Sequence, residues 1–304
     1  MYFNPFEVKI IYIFLLYIKL IYYIFLKFFG LDLKENTLTK NLMKAIILAA
    51  GIGNRLSPLT KIIPKFMIPF CNKSLFERNL DIFRKCNIVD VIVVIRPDTN
   101  VPDFPNVRYV VKEKVKGTNM LYSLFCAEKF IESPVIISYG DIIFEKKILK
   151  QLLESTADIA IVIDTDWIKY FKHRIDDPIN DAHECVVADG DNAISIGLEV
   201  KNLDDVDGHF VGLMKVQNNG IKILKDFYQK SKLAATEKFN PLNPNIAFEN
   251  SRLVDLIQGL ILSGVNIKLI PVKNGWLEFD TNEDYEIYKN METNNTLSDL
   301  IELE

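Results

Sequence analysis

The 304-residue chain is 49% hydrophobic and 25% charged, which excludes a disordered or fibrous protein and suits one large α/β domain or two smaller ones. Its formal net charge is −4, and residues 1–42 carry five lysines against three acids, so the remainder stands at −6. With no basic block in that remainder, a nucleic-acid partner is not expected.

The first predicted element precedes the main domain. "VKIIYIFLLYIKLIYYIFLKFF" (Val8–Phe29) is aromatic and aliphatic apart from Lys9, Lys19 and Lys27. Its length matches the roughly 20 apolar residues of a membrane span. Lys19 near its middle opposes insertion, and a polar seam on an apolar rod equally suits a helix lying in the membrane interface. Lysines after the stretch outnumber those before it, which would leave the main domain cytoplasmic and anchored to that face of the membrane. "MKAIILAAG" from Met43 reads just as well as a natural start, with residues 1–42 an upstream in-frame translation. On either reading 1–42 is a hydrophobic segment and linker, 43–290 the main domain, and 291–304 a tail that is a surface helix or a frayed end.

From Met43 onward apolar runs alternate with helical patterns. Strands are expected at Lys44–Ala50, Val89–Arg96, Val107–Glu113, Pro134–Asp141 and Asp158–Thr165. A helix from Ser74 begins with Ser74 and Glu77 at capping-box spacing. Further helices are expected over 118–131 and Lys147–Ser155. Strands that are apolar throughout and alternate with helices predict an α/β, Rossmann-like fold: a mostly parallel central sheet with helices on both faces. After Thr165 the pattern changes to a small β-rich insertion, with two strands joined by a turn at Asp189–Asn192 and a third at His209–Val216. Helices at Gly220–Lys232 and Ser251–Ser263, a strand at Ile267–Val272 and a helix at Glu283–Lys289 complete the domain. Cys71, Cys86, Cys126 and Cys185 show no C-x-x-C spacing and read as reduced thiols of a cytosolic protein. A homo-oligomer is compatible with the sequence.

Ligands of parallel sheets sit beyond the carboxyl ends of the strands, so the loop in "AIILAAGIGNRLSPLTKIIPK" (Ala45–Lys65) carries most of the chemistry. Gly51 and Gly53 match two glycines of a dinucleotide fingerprint, but Leu56 stands at the third position; the absence of G-K-[ST] removes the P-loop reading. Two glycines let backbone N–H groups approach phosphate oxygens closely. Arg55 can bridge phosphates as a fork, and Lys65 can add a point charge.

Leu48–Lys65 resembles the signature L-A-A-G-x-G-x-R-L-x-P-x-T-x-x-x-P-K of nucleotidyltransferases that join a nucleoside monophosphate to a phosphorylated small molecule, with every fixed position present. The resemblance implies a nucleotide held by Leu48, Ala49, Ala50, Gly51, Gly53, Asn54, Arg55 and Lys65, with Gly117 and Thr118 beside it. Arg55 and Lys65 would be the catalytic cations. It also implies Mg2+, for which Asp141 (ending "IISYGD") and Asp280 (in "GWLEFDT", similar to a late W-x-E-x-D-T element) are the expected ligands. "KVKGTNMLYSLFCAEKFI" resembles an element carrying N-x-x-Y-S-L in cytidylyltransferases for phosphocholine and 2-aminoethylphosphonate. "IDTDWIKYFKHRIDDP", "DAHECVV" and "DGHFVGLMKV" resemble nucleotidyltransferase domains fused to phosphoenolpyruvate mutase. His209 stands where that pattern has an acid. The implied substrates are CTP and a small phosphonate or phosphate monoester, with a sugar-1-phosphate enzyme using UTP or dTTP as the alternative.

An aminoalkyl acceptor needs an anionic or aromatic cradle for its nitrogen and cations for its phosphorus end. Trp167 and Tyr122 could offer π faces or simply pack the core. Glu278 could pair with the amine, and Arg174 could hold the phosphorus end or form an ion pair. Asn119 could bond the acceptor or the base, or cap a helix. A phosphate or phosphonate dianion is already nucleophilic near neutral pH, so no catalytic histidine is expected.

Overall fold

A computed structural model describes residues 43–174, 183–237 and 239–303. The apolar stretch 8–29 lies outside these residues, and among the described residues no helix is long and apolar enough to cross a membrane.

In chain order the first half comprises β1 (Lys44–Leu48), the two-residue strands β2 (Pro69–Phe70) and β3 (Lys73–Ser74), and α1 (Leu75–Lys85). β4 (Asp90–Ile95), β5 (Val107–Val111), α2 (Met120–Cys126), β6 (Val135–Tyr139) and β7 (Ile142–Phe144) follow, then α3 (Lys146–Glu154), β8 (Ile159–Asp164) and the short α4 (Trp167–Phe171). The second half comprises β9 (Cys185–Asp189), β10 (Asn192–Ile196), β11 (Gly208–Val216), α5 (Asn219–Glu237), α6 (Leu253–Leu262), β12 (Lys268–Val272), β13 (Trp276–Glu278) and α7 (Asn282–Thr293).

The expected α/β sheet forms among the described residues, in the order β5-β4-β1-β6-β11-β8-β12-β10-β9. The pairs β5/β4, β4/β1, β1/β6 and β8/β12 are parallel. β11 enters antiparallel between β6 and β8, a feature that apolar patterning cannot announce, because a strand buried on both faces reads the same in either direction. β9 pairs with β11 as well as β10, closing the β-rich half on itself. From β1 the α1 connection steps to β4, whereas α2 carries the chain from β5 back across β1 to β6. Right-handed crossovers in opposite directions place their helices on opposite faces of the sheet.

Local chemistry explains the helix starts. Ser74 Oγ accepts from Glu77 N (3.1 Å) while Glu77 Oε2 accepts from Ser74 N (2.9 Å), the reciprocal cap expected from the sequence. Thr281 and Asp284 make the same arrangement at α7. β1, β4, β6, β8 and β11 run through the middle of a continuous apolar core, to which the helices and the C-terminal stretch add the rest. The stretch after residue 290 is not a frayed end: Leu297, Leu300 and Ile301 are buried, and Leu300 O accepts from Gly275 N at 2.7 Å.

Two short strands absent from the sequence reading matter most for the site. β7 and β13 pair antiparallel, Trp276 opposite Phe144 and Glu278 opposite Ile142, and Phe279 N then donates to Asp141 O (2.9 Å). This pairing brings "LEFD" from late in the chain beside "YGD" from its middle.

Gly212 shapes the floor above which the site lies. It sits in β11 at φ +79, where the register against β8 shifts, and a Cβ there would press into the Tyr139 ring. Gly212→Ala should destabilise the protein by about 1–3 kcal/mol through overpacking, with added strain from the positive φ, measurable as a lower urea midpoint at unchanged slope.

Candidate active site

A cavity of about 520 Å3 opens where β1 and β6 end. Its lining includes Leu48–Arg55, Lys65, Lys112, Thr118, Asn119, Ser123, Tyr139–Asp141, His183, Glu184, His209, Glu278 and Asp280. The glycine loop is pinned from below. Gly53 (φ +73) accepts at its carbonyl from Thr60 Oγ1 (2.7 Å) and Leu56 N (3.0 Å), and Arg96 Nη1 donates to Gly51 O (2.8 Å). Carbonyls are thus tied down, and the loop stays open at Gly51, where a Cβ would meet nothing within 4 Å.

Four charged side chains form one chain at the cavity wall. Lys65 Nζ donates to Asp141 Oδ2 (2.6 Å) and Asp280 Oδ1 (2.9 Å), and Arg55 Nη2 pairs with Asp280 Oδ2 at 2.6 Å. Lys65, Asp141 and Asp280 are largely buried, while Arg55 is 69% exposed. Burial works against the Lys65 ammonium, but Asp141 and Asp280 together outweigh it and its pKa is raised. Asp141 Oδ1 is buried and has no hydrogen-bond partner among the described residues. Two carboxylates within reach of one cation, with one oxygen unsatisfied, fit magnesium, which takes one or two protein carboxylates plus substrate phosphates.

Beyond Asp141 and Asp280 the lining holds two further acids, Glu184 and Glu278. Tyr139 Oη donates to Glu184 Oε1 (2.8 Å). Burial, opposed by Arg174, pushes Glu278 up to about 7; burial, then the Glu278 charge, holds Glu184 well above the usual carboxylate range. Glu278 is braced from behind. Its N–H donates to Tyr170 Oη (2.9 Å), its carbonyl accepts from Tyr288 Oη (3.0 Å), and its Oε2 accepts from Arg174 Nη1 (3.1 Å). Arg174 also forks onto Asp284 at 2.8 and 3.0 Å, and Asp284 Oδ2 accepts from the N–H groups of Asp280 (3.0 Å) and Thr281 (2.7 Å). Burial raises the Asp284 pKa, yet these bonds and the Arg174 charge outweigh it and the net shift is downward.

Of the residues expected from the sequence, Leu48, Ala49, Ala50, Gly51, Gly53, Asn54, Arg55, Lys65, Thr118, Asn119, Asp141, Glu278 and Asp280 line this one cavity. Four do not. Gly117 is exposed at φ +69 beside Thr118 and serves the turn. Trp167 is buried in the core against Phe171 and His209, so it offers no open π face. Tyr122 lies outside the lining, with Lys112 Nζ 5.9 Å from its ring centre. Arg174 is neutralised by Asp284 and Glu278 behind the wall, so it holds a carboxylate and not a phosphorus group. Asn119 caps α2, its Oδ1 accepting from Met120 N (2.8 Å). Residues 175–178 and 181–182 of the quoted motifs lie outside the described residues. Lys112, Tyr139, Glu184 and His209 were not expected in the lining. Lys112 follows the last residue of the parallel strand β5, so the strand-end rule could have found it.

Known proteins share this fold and part of this sequence. Residues 45–183 match the MobA-like NTP transferase domain. The CTP:phosphoglutamine cytidylyltransferase of Campylobacter jejuni is 29% identical over 258 residues, 81% of this chain and 98% of that protein. The choline-phosphate cytidylyltransferase of Streptococcus pneumoniae is 30% identical over 118 residues, 38% of this chain and 52% of that protein. The inositol-1-phosphate CTP transferase of T. maritima shares the fold at TM-score 0.59 and 20% identity, covering 86% of this chain and 98% of that structure. The chain is thus similar to nucleotidyltransferases, through the MobA-like NTP transferase match at residues 45–183 and a cytidylyltransferase aligned over 81% of this chain.

Proposed function

We propose that this enzyme is a magnesium-dependent cytidylyltransferase that moves CMP from CTP to a small phosphonate or phosphate monoester carrying a nitrogen group, 2-aminoethylphosphonate being favoured and phosphocholine next. The observation that carries the reading is the meeting, in one cavity, of the glycine loop, the cations Arg55 and Lys65, and the carboxylates Asp141 and Asp280. Support for CTP comes from the relative aligned over 98% of its length, and support for a nitrogen-bearing acceptor from the Tyr139–Glu184–Glu278 wall.

In this reading an acceptor phosphonate or phosphate oxygen attacks the α-phosphorus of CTP. A new O–P bond forms as the bond to the β-phosphate bridging oxygen breaks, and pyrophosphate leaves with that electron pair. Loop amides at Gly51–Arg55 hold the phosphates, and Arg55 and Lys65 reduce the repulsion between two anions. Asp141 and Asp280 would hold magnesium, which when bound neutralises charge on the reacting phosphate and the leaving group. Glu278, fixed by Arg174 and the two tyrosines, receives the acceptor nitrogen. The acceptor is already an anion, so no protein base takes a proton in the transfer.

The test is pyrophosphate release with magnesium over CTP, UTP and dTTP, each against 2-aminoethylphosphonate, phosphocholine and glucose 1-phosphate. Turnover is expected with CTP and a nitrogen-bearing acceptor. Turnover confined to glucose 1-phosphate with UTP or dTTP would instead establish the sugar-1-phosphate alternative.

A further inference from the structure

Three of the four carboxylate oxygens expected to receive a divalent ion are already occupied by protein cations. Lys65 Nζ lies 2.6 Å from Asp141 Oδ2 and 2.9 Å from Asp280 Oδ1, and Arg55 lies 2.6 Å from Asp280 Oδ2. Two positive and two negative charges balance locally. The ammonium sits against the same oxygens that a divalent ion needs at about 2.0–2.1 Å, so the two cannot share the place. Adding a doubly charged ion to an already neutral cluster also meets repulsion from Lys65 and Arg55 in a partly buried setting.

A nucleoside triphosphate changes this balance. Its phosphates would arrive at the glycine loop, next to Arg55 and Lys65, and offer both cations new anionic partners. Lys65 follows Pro64 and opens a short helical turn whose Phe66 is buried, so the stem is fixed and only the long side chain needs to swing. Arg55 is largely exposed and already free to turn outward.

Resting on the reading of this cavity as a nucleotidyl-transfer centre, we propose that Lys65 is a resident counter-ion that closes the Asp141–Asp280 site to divalent ions until a nucleoside triphosphate draws it onto phosphate. The metal then enters with the nucleotide and not before it. A nucleotide-free enzyme holds its carboxylates in place with its own cation, and Lys65 serves the carboxylates first and the phosphates afterwards.

The test is binding of Mn2+ to the full chain, read from the electron paramagnetic resonance signal of the free ion. Mn2+ alone should bind wild-type protein at least about tenfold more weakly than it binds Lys65→Met, because the variant removes the competing unit charge. In wild-type protein, α,β-methylene-CTP should restore tight Mn2+ binding. Lys65→Arg should keep the block. If Lys65→Met leaves two carboxylates too exposed to each other for folding, Lys65→Gln, neutral and able to donate to one of them, replaces it with the same expectation. Equal Mn2+ affinity for wild type and the neutral variant, without nucleotide, would overturn the proposal. That arm contains no nucleotide, so a wrong assignment of CTP shows separately, as a triphosphate analogue that leaves wild-type Mn2+ binding unchanged while the neutral variant still binds more tightly.

Discussion

Asp141→Asn is expected to lower pyrophosphate release by ~10²–10³-fold, the scale seen when one group stabilising transition-state charge is removed. The substitution keeps the shape and one acceptor oxygen but removes a full charge from the cavity wall. Its effect should fall on turnover and not on folding, because among the described residues the Asp141 side chain bonds only to Lys65, while its backbone carbonyl continues to accept from Phe279 N. Lys65 would remain paired with Asp280 alone. Asp280→Asn should act similarly and also release Arg55. Steady-state rates with magnesium, alongside circular dichroism to confirm the fold, check this. A rate within about threefold of wild type would remove Asp141 from metal and phosphate chemistry.

How much of this was readable beforehand follows from the range of the interactions. The glycine loop, Arg55 and Lys65 lie within one short signature, and local backbone chemistry fixes them; the same holds for the Ser74–Glu77 cap. The strands of the parallel half were legible as apolar runs alternating with helical patterns, but their order in the sheet was not. Nor was the direction of β11, since burial on both faces leaves no alternation to read. The acids of the lining were legible only in part. Glu278 and Asp280 reach the cavity through the β7/β13 pairing, made by three-residue strands too short for any periodicity. Trp167, Tyr122 and Arg174 were plausible ligands by residue type, but only tertiary contacts tell a packed ring from an open one, or a paired guanidinium from one awaiting an anion. Arg174 bonds residues more than a hundred positions away.

That same arginine carries the largest stability effect expected here. Arg174→Met should cost about 3–5 kcal/mol, the range for breaking a buried ion pair by removing one partner. The guanidinium and the Asp284 carboxylate are each 3% exposed, so water cannot replace the lost partner. Glu278, already raised to about 7, can escape by taking up a proton, but Asp284 cannot do so cheaply, because its oxygens also accept from Asp280 and Thr281 N–H groups. Adding Asp284→Asn to Arg174→Met should therefore recover part of the loss, since a neutral amide is tolerated where a lone charge is not. The pH dependence carries the same signature. Asp284 has a depressed pKa in the folded protein, so its pair stabilises above the ordinary carboxylate pKa and is lost as pH falls through the depressed value. In Arg174→Met that acid-side loss should shrink. Urea unfolding of the wild type and both variants at neutral and acidic pH measures all three effects. A loss below about 1 kcal/mol at neutral pH would mean that the pair is effectively solvated, and the brace behind Glu278 would then be too weak to hold it.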